Sequence, residues 1–444
     1  MPILNKFTSR YKAITHVLGQ KRGRMRPGVG AVVKKMMDRT TAKTGGVADM
    51  ADIPCLDLAC LERQLILPCN TETSEEKIRA KHQDLGQYLV RQDRWQELSR
   101  LIRQADHGRA MTPGGMAYAE LLAYGARADV VQAVEDAIFD GATPDLSGIE
   151  AFEAILTEAP EDPAIAVIVA HAHMDIGWAW RGDGHDDAIK PRHLALFQAH
   201  FSRAQTILDQ FCGVELDAPS IAAARVALLA ASERPQDNVA DDYEDLIDLD
   251  PANPRVMRAM GNHLLPRWFG SYDQLELEAR RTASRTLDIW GAGGYTWCYM
   301  DALAVDSRAI EQLDVGFFVE GLRDILERRP DQHMANQIAA YCAITMASER
   351  VEGPDETARA KIYDCFDWVL SNHLRELHPL IWAQAAHGPD IVAALKNSKS
   401  PREALWRHGH KTARQIIARH FHEDLTQGAT ITFSRHGLRL YPAM

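Results

Sequence analysis

His171-Ala-His-Met-Asp175 sets two imidazoles and a carboxylate at alternate positions, the donor set with which metallo-hydrolases hold a catalytic ion. Those enzymes carry such a motif on a loop after a strand. Here it continues an apolar run that begins at Asp162-Pro163 and proceeds to Trp180, which reads as helix. On a helix His171 and Asp175 share a face at i and i+4, while His173 points about 200° away from His171. Three ligands on one ion are then geometrically poor, so a metal-dependent hydrolase using His171, His173 and Asp175 is the alternative function rather than the first. His185-Asp-Asp187, beyond the Gly182 break, could add ligands. His408-Gly-His410 and His420-Phe-His-Glu423 lack the His-Glu-x-x-His spacing of a zinc protease. No Gly-x-Ser-x-Gly elbow, Walker loop or kinase signature occurs, and Gly291-Ala-Gly-Gly294 reads as a turn between helices because no strand precedes it. No cofactor is expected.

A second kind of chemistry is recognition. Gly177-Trp-Ala-Trp-Arg-Gly182 and Leu264-Leu-Pro-Arg-Trp-Phe-Gly-Ser271 each set an arginine beside a tryptophan, and Trp and Arg are the side chains that dominate binding energy at protein interfaces. Trp180, Arg181, Arg267 and Trp268 are therefore the candidate binding residues. The competing reading is packing between helix pairs, with Trp178, Trp180 and Trp268 supplying buried surface and the arginines stacking on them or pairing with acids. Trp290, Tyr295, Trp297 and Tyr299 form a further aromatic group, expected in the core.

The elements that must position these residues are almost wholly helical from Ser74 onward. Leu249-Asp-Pro-Ala-Asn-Pro254 has the form in which one helical hairpin ends and the next begins: Asn253 can cap a helix whose first turn holds Pro254, where a missing N–H costs nothing. Asp162-Pro163 repeats the device, and Arg329-Pro-Asp331 does so more loosely. Helices are expected at 77–89 and 95–105, with Asp93 capping the second, and a further pair within 113–139. The segment 194–211 carries a stripe at Phe197, Phe201, Ala204, Ile207, Leu208 and Phe211, and 219–231 reads as a tightly packed inner helix. Ser271-Tyr-Asp-Gln274 matches a capping box. Helices follow at 332–348, 356–374 and 401–420, and alternation at 429–433 and 437–441 predicts a terminal β-hairpin.

Composition narrows the partners. The net charge of −11 divides unevenly: residues 1–45 hold eleven Lys or Arg and one acid, Asp38, so the rest of the chain carries −21. The charge of that acidic body argues against nucleic acid as a general partner, except through the basic segment. Residues 3–18 form an amphipathic basic helix, with Ile3, Leu4, Phe7, Tyr11, Ile14 and Leu18 on one face, which would suit peripheral membrane contact. Met50 is a second possible translation start. Seven scattered cysteines without a CxxC pair point to reduced thiols rather than a disulfide or zinc framework. The longest apolar run, 164–170, is far short of the ~20 residues of a membrane span, and the N-terminus lacks a secretory apolar region. Asp237 to Asp250 holds seven acids and no base, and is expected to be a solvated helix face because the calcium-loop register is absent.

The junctions near 163, 254 and 330 lie 91 and 76 residues apart, so the repeat is degenerate. Tyr243 to Pro254 is nevertheless similar to the end of one tetratricopeptide repeat and the start of the next. Together with the Gly177 to Gly182 and Leu264 to Ser271 motifs, it resembles an uncharacterised bacterial family of helical-repeat proteins over roughly residues 150–305. The resemblance implies a fold and brings no catalytic residues with it. The expected architecture is all-α: a tetratricopeptide-like helical-hairpin solenoid with a small C-terminal β-hairpin. Its expected segments are a basic arm (1–49), N-terminal hairpins (50–148), a repeat core (149–305), C-terminal hairpins (306–428) and the terminal hairpin (429–444). The expected function is a cytoplasmic protein-interaction scaffold whose concave groove binds a peptide or helix, with peripheral membrane attachment through residues 3–18 as a second alternative.

Overall fold

The computed structural model describes residues 63–182, 189–347, 354–386 and 400–443. The basic segment 1–49 with the amphipathic helix expected at 3–18, Cys55, Cys60 and His185-Asp-Asp187 lie outside the described residues. Contacts divide the described chain into two compact units, 74–313 and 63–73 with 314–443. The expected segments 50–148 and 149–305 both contribute to the first.

Among the described residues the first unit is built of helices, with one isolated bridge between Met111 and Ala117. Its helices are α1 (Ser74–Arg91), α2 (Trp95–His107), α3 (Tyr118–Phe139), α4 (Ser147–Glu158), α5 (Pro163–Arg181), α6 (Pro191–Leu208), α7 (Pro219–Leu228), α8 (Val239–Leu249), α9 (Pro254–His263), α10 (Tyr272–Arg285), α11 (Leu287–Trp290) and α12 (Gly293–Val305). The caps follow the local sequence. The Asp162 carboxylate accepts from Ala164 N at 2.9 Å, Asn253 Oδ1 from Arg255 N at 3.1 Å, and Ser271 Oγ from Gln274 N at 3.1 Å. Pro163 and Pro254 occupy the first turns.

In this unit three expectations need correction. Residues 113–139 do not make two helices: α3 is a single helix, and Gly125 inside it marks a crossing rather than a break. A Cβ there would lie 1.9 Å from the Gln83 carbonyl oxygen of α1, and one at Gly86 would lie 2.1 Å from the Leu122 oxygen of α3, so the two backbones touch along an antiparallel pair. Asp93 does not cap α2; it takes the left-handed conformation at φ 55°, and Arg94 holds the cap position without a side-chain bond. Trp178, Trp180 and Trp268 are only half-buried. Trp290, Tyr295, Trp297 and Tyr299, in contrast, are fully buried as expected.

Antiparallel pairing recurs along the unit. His173 and Trp178 of α5 face His200 and Phe197 of α6, and Arg258 of α9 bonds Asp301 of α12 at 2.7 Å. Helix α5 is the centre, packed by α2, α3, α4, α6 and α7. From Ala164 to Ala170 every residue is buried, which is what an apolar circumference requires.

The second unit contains α13 (Val315–Arg328), α14 (Gln332–Ala340), α15 (Pro354–Tyr363), α16 (Cys365–Asn372), α17 (Pro379–Ala385), α18 (Pro401–His420) and α19 (His422–Thr426). Helix α14 passes into a π turn at Tyr341–Thr345 instead of running on as α-helix, and α17 had no counterpart in the sequence reading. The terminal hairpin forms from β2 (Thr430–Ser434) and β3 (Gly437–Tyr441), closed at Gly437 with φ 110°. It belongs to a three-stranded sheet, because β1 (Leu65–Ile66) pairs parallel to β2 in the register Leu65 to Ile431. No helix among the described residues is long and apolar enough to cross a membrane.

Candidate functional site

Along its middle turns helix α5 carries two ionisable side chains, His173 and Asp175, into the interior, and a third, Arg181, is buried at its C-terminal end. Each buried Ile or Val around them contributes about 2 kcal/mol, and an uncompensated charge among them would cost more than one such residue supplies, so His173 and Asp175 must both find partners. They do so on opposite sides, as their two-residue separation dictates. Asp175 accepts from Arg127 Nε of α3 at 2.8 Å, and the Arg127 guanidinium lies 5.3 Å from the centre of the Tyr124 ring. His173 turns the other way, with Nε2 2.8 Å from Glu153 Oε1 of α4 and Nδ1 2.9 Å from Nδ1 of His200 on α6. His171 is half-buried one turn before Asp175. The motif thus splits between two sets of neighbours, and among the described residues no three His, Cys, Asp or Glu side chains are placed to share a metal ion.

The histidine side of α5 is the more informative, because its protons can be counted. Arg203 of α6 forks onto Glu153, with Nε 2.7 Å from Oε1. That bond, more than its contact with His173, holds the Glu153 carboxyl below its ordinary range in spite of partial burial. Glu153 is an anion at neutral pH and only accepts, so His173 donates from Nε2. Burial pushes the His173 pKa down although Glu153 pulls it up, and burial together with the adjacent His173 ring brings His200 to about 4. Both imidazoles are therefore neutral at pH 7. With its one proton on Nε2, His173 accepts at Nδ1, and His200 must donate from Nδ1. The remaining lone pair of the row is on Nε2 of the half-buried His200, for which the described residues supply no hydrogen-bond partner.

The candidate binding residues fall into two aromatic groups. Trp180 stands edge-on to His193 at 5.3 Å, and the buried Arg181 lies 5.6 Å from the Trp178 ring centre, which itself packs edge-on against Phe197 and Phe201. The other pair lies in the turn after α9. Arg267 is exposed and reaches the Val305 carbonyl at 3.4 Å, while Trp268 stands beside His263 and Phe269. His263 Nδ1 is 2.9 Å from the Tyr243 hydroxyl of α8, and burial lowers its pKa to about 4. The Trp268 indole N–H is buried without an acceptor.

Sequence reasoning missed His200, Glu153, Arg203 and Arg127. A signal was present for two of them. His200 adjoins Phe197, Phe201 and Ala204 on the inward stripe of α6, and Glu153 adjoins Ile149, Phe152 and Leu156 on that of α4, so each is an ionisable residue on an apolar face. Comparison with protein-family models, with curated proteins and with solved structures finds no match for this chain.

Proposed function

We propose that this chain is a tetratricopeptide-like helical-hairpin scaffold that binds a peptide or helix in a groove between its helices, acting in the cytoplasm. The observation that carries the reading is the recurrence of antiparallel helix pairs in residues 74–313, α1 with α3, α5 with α6 and α9 with α12, with capped Asp-Pro and Asn-Pro junctions opening α5 and α9. Stacked pairs leave grooves lined by whichever side chains stand at their ends. The side chains assigned to such a groove in this reading are the half-buried Trp180 and the exposed Arg267, with Arg181 and Trp268 as their neighbours in sequence. A half-exposed indole offers a rigid apolar anchor and an exposed guanidinium a directional donor for carbonyl or carboxylate groups of an extended or helical partner.

The test is selection of peptides from a random displayed library on the purified chain, followed by calorimetry of the enriched sequence against the unmodified protein and the Trp180→Ala and Arg267→Ala variants. Each variant is expected to weaken binding about tenfold. Failure to enrich any sequence, or affinity in both variants unchanged from that of the unmodified protein, would overturn the groove assignment.

A further inference from the structure

The arrangement around His200 is built like a reactive centre, and it is independent of the scaffold reading. Glu153, His173 and His200 come from three helices, and each link in the row is a hydrogen bond of 2.8 or 2.9 Å between buried or half-buried groups. Arg203 closes the carboxylate end. The groups facing the two imidazoles are thus Glu153 of α4 and Arg203 of α6, whereas Asp175 and Arg127 are paired on the α3 side of α5. The other end is a single ring nitrogen, Nε2 of the half-buried His200. Because every donor and acceptor upstream is committed, the tautomer of His200 is fixed with its proton on Nδ1 and its lone pair on Nε2.

We propose that Glu153, His173 and His200 form a proton relay whose outer end, His200 Nε2, is a nucleophilic site for activated acyl groups such as esters or thioesters. Attack of Nε2 on the carbonyl carbon forms an N–C bond, and the C–O or C–S bond to the leaving alkoxide or thiolate breaks. As positive charge develops on the His200 ring, the Nδ1 proton passes to Nδ1 of His173. The His173 imidazolium then lies against the Glu153 carboxylate, an oriented counter-charge of the kind that supports imidazolium in other acyl-transfer sites. Return of that proton to His200 restores an acyl-imidazolium, which water cleaves to the carboxylic acid and neutral His200, with one proton released to solvent. His200 is the reacting residue; His173 and Glu153 are positioning residues.

Two measurements on the full-length chain decide the matter. The first is imidazole nitrogen NMR of protein labelled with 15N-histidine at neutral pH. The relay requires the Nδ1–H form of His200, and an Nε2–H form would overturn it. The second is reaction with p-nitrophenyl acetate, with the acetylated positions mapped by mass spectrometry. Acetylation should concentrate on His200 and slow about tenfold in Glu153→Gln and His173→Gln proteins that keep their helical circular dichroism. Acetylation spread over other histidines, or a His200 rate indifferent to Glu153→Gln, would overturn the proposal. Should Glu153→Gln fail to fold, the tautomer and the acetylation site of the unmodified protein still decide.

Discussion

Arg109 and Asp217 are ion-paired to each other and both hold left-handed backbones, at φ 48° and 51°. Non-glycine residues rarely adopt that region, so the surrounding structure must impose it twice. The Arg109 guanidinium shows how: its Nε donates to the Leu249 carbonyl at 2.8 Å, and its Nη1 donates to the Asp106 carbonyl at 2.9 Å and the Asp217 carbonyl at 3.2 Å. One side chain thereby ties the end of α2, the turn before α7 and the end of α8. Replacement by Met should leave those carbonyls unpaired and lower stability by about 3 kcal/mol, whereas Asp217→Gly, which removes an exposed carboxylate and also relieves the backbone, should cost much less. Urea unfolding of both variants measures the difference, and equal losses would show that the arginine acts only through the carboxylate.

Backbone contact at the α1/α3 and α9/α12 crossings predicts a sharp division among glycines. A Cβ at Gly125 or Gly261 would lie 1.9 Å or 1.7 Å from a carbonyl oxygen of the facing helix, so Gly125→Ala and Gly261→Ala should each destabilise by about 3 kcal/mol or more. Gly316, in the first turn of α13, meets nothing closer than 3.5 Å. There alanine should stabilise by about 0.5 kcal/mol, because helix propensity is then the only term that changes. Thermal melts of the three proteins suffice.

Those glycines also mark what the sequence made legible. Asp162, Asn253 and Ser271 could be read as caps because their partners are two or three residues away. Gly125 answers to Gln83 of another helix, and β1 exists only because Leu65 meets Ile431. Neither partner is visible in a local window. The same limit applies to the candidate site. Opposed directions for His173 and Asp175 followed from helix geometry, but that His173 would meet a second imidazole depended on how α6 returns along α5.

Stability should fall as pH drops from about 6.5 toward about 4. His200 and His263 both titrate near 4 in the folded chain, where burial disfavours their charged forms, against 6.5 unfolded. The unfolded chain therefore binds more protons in that interval, and the stability present above 6.5 is lost on acidification. Asp106 and Asp250 act in the opposite sense, since burial raises them and favours the folded state as they protonate. Comparison with a His200→Gln protein cancels that background: its urea midpoint should decline less between pH 7 and 5 than that of the unmodified chain. Parallel declines would place the His200 titration elsewhere.

In the second unit Asn336 is fully buried with all four of its hydrogen-bond positions used. Its Nδ2 donates to the Gln332 and Glu376 carbonyls at 2.8 and 2.9 Å, and its Oδ1 accepts from His378 N and Trp382 Nε1, both at 2.9 Å. It joins α14 to α17 and to the turn between α16 and α17. Asn336→Leu should cost about 4 kcal/mol, since one substitution orphans two buried donors and a carbonyl. Hydrogen exchange should show the loss first at the amides of Arg375 to His378. Protection unchanged there would mean that Gln332, which accepts from Arg375 N and Glu376 N, holds the turn alone.

Arg127 and Asp175 separate the packing role of α5 from a ligand role. The pair is buried, and in a low-dielectric interior removing one partner strands the other, so Asp175→Asn and Arg127→Met should each cost about 3 to 5 kcal/mol. An apolar replacement of both, Arg127→Met with Asp175→Leu, should recover much of that loss, because desolvation of two charges offsets their attraction. The full cycle with Asp175→Leu as the second single variant, measured by urea unfolding with and without added zinc, distinguishes the two roles. A purely structural pair gives a strongly non-additive double variant whose stability is indifferent to metal. Zinc stabilisation of the unmodified chain that disappears in Asp175→Leu would instead restore His171 and Asp175 to the ligand role suggested by their spacing.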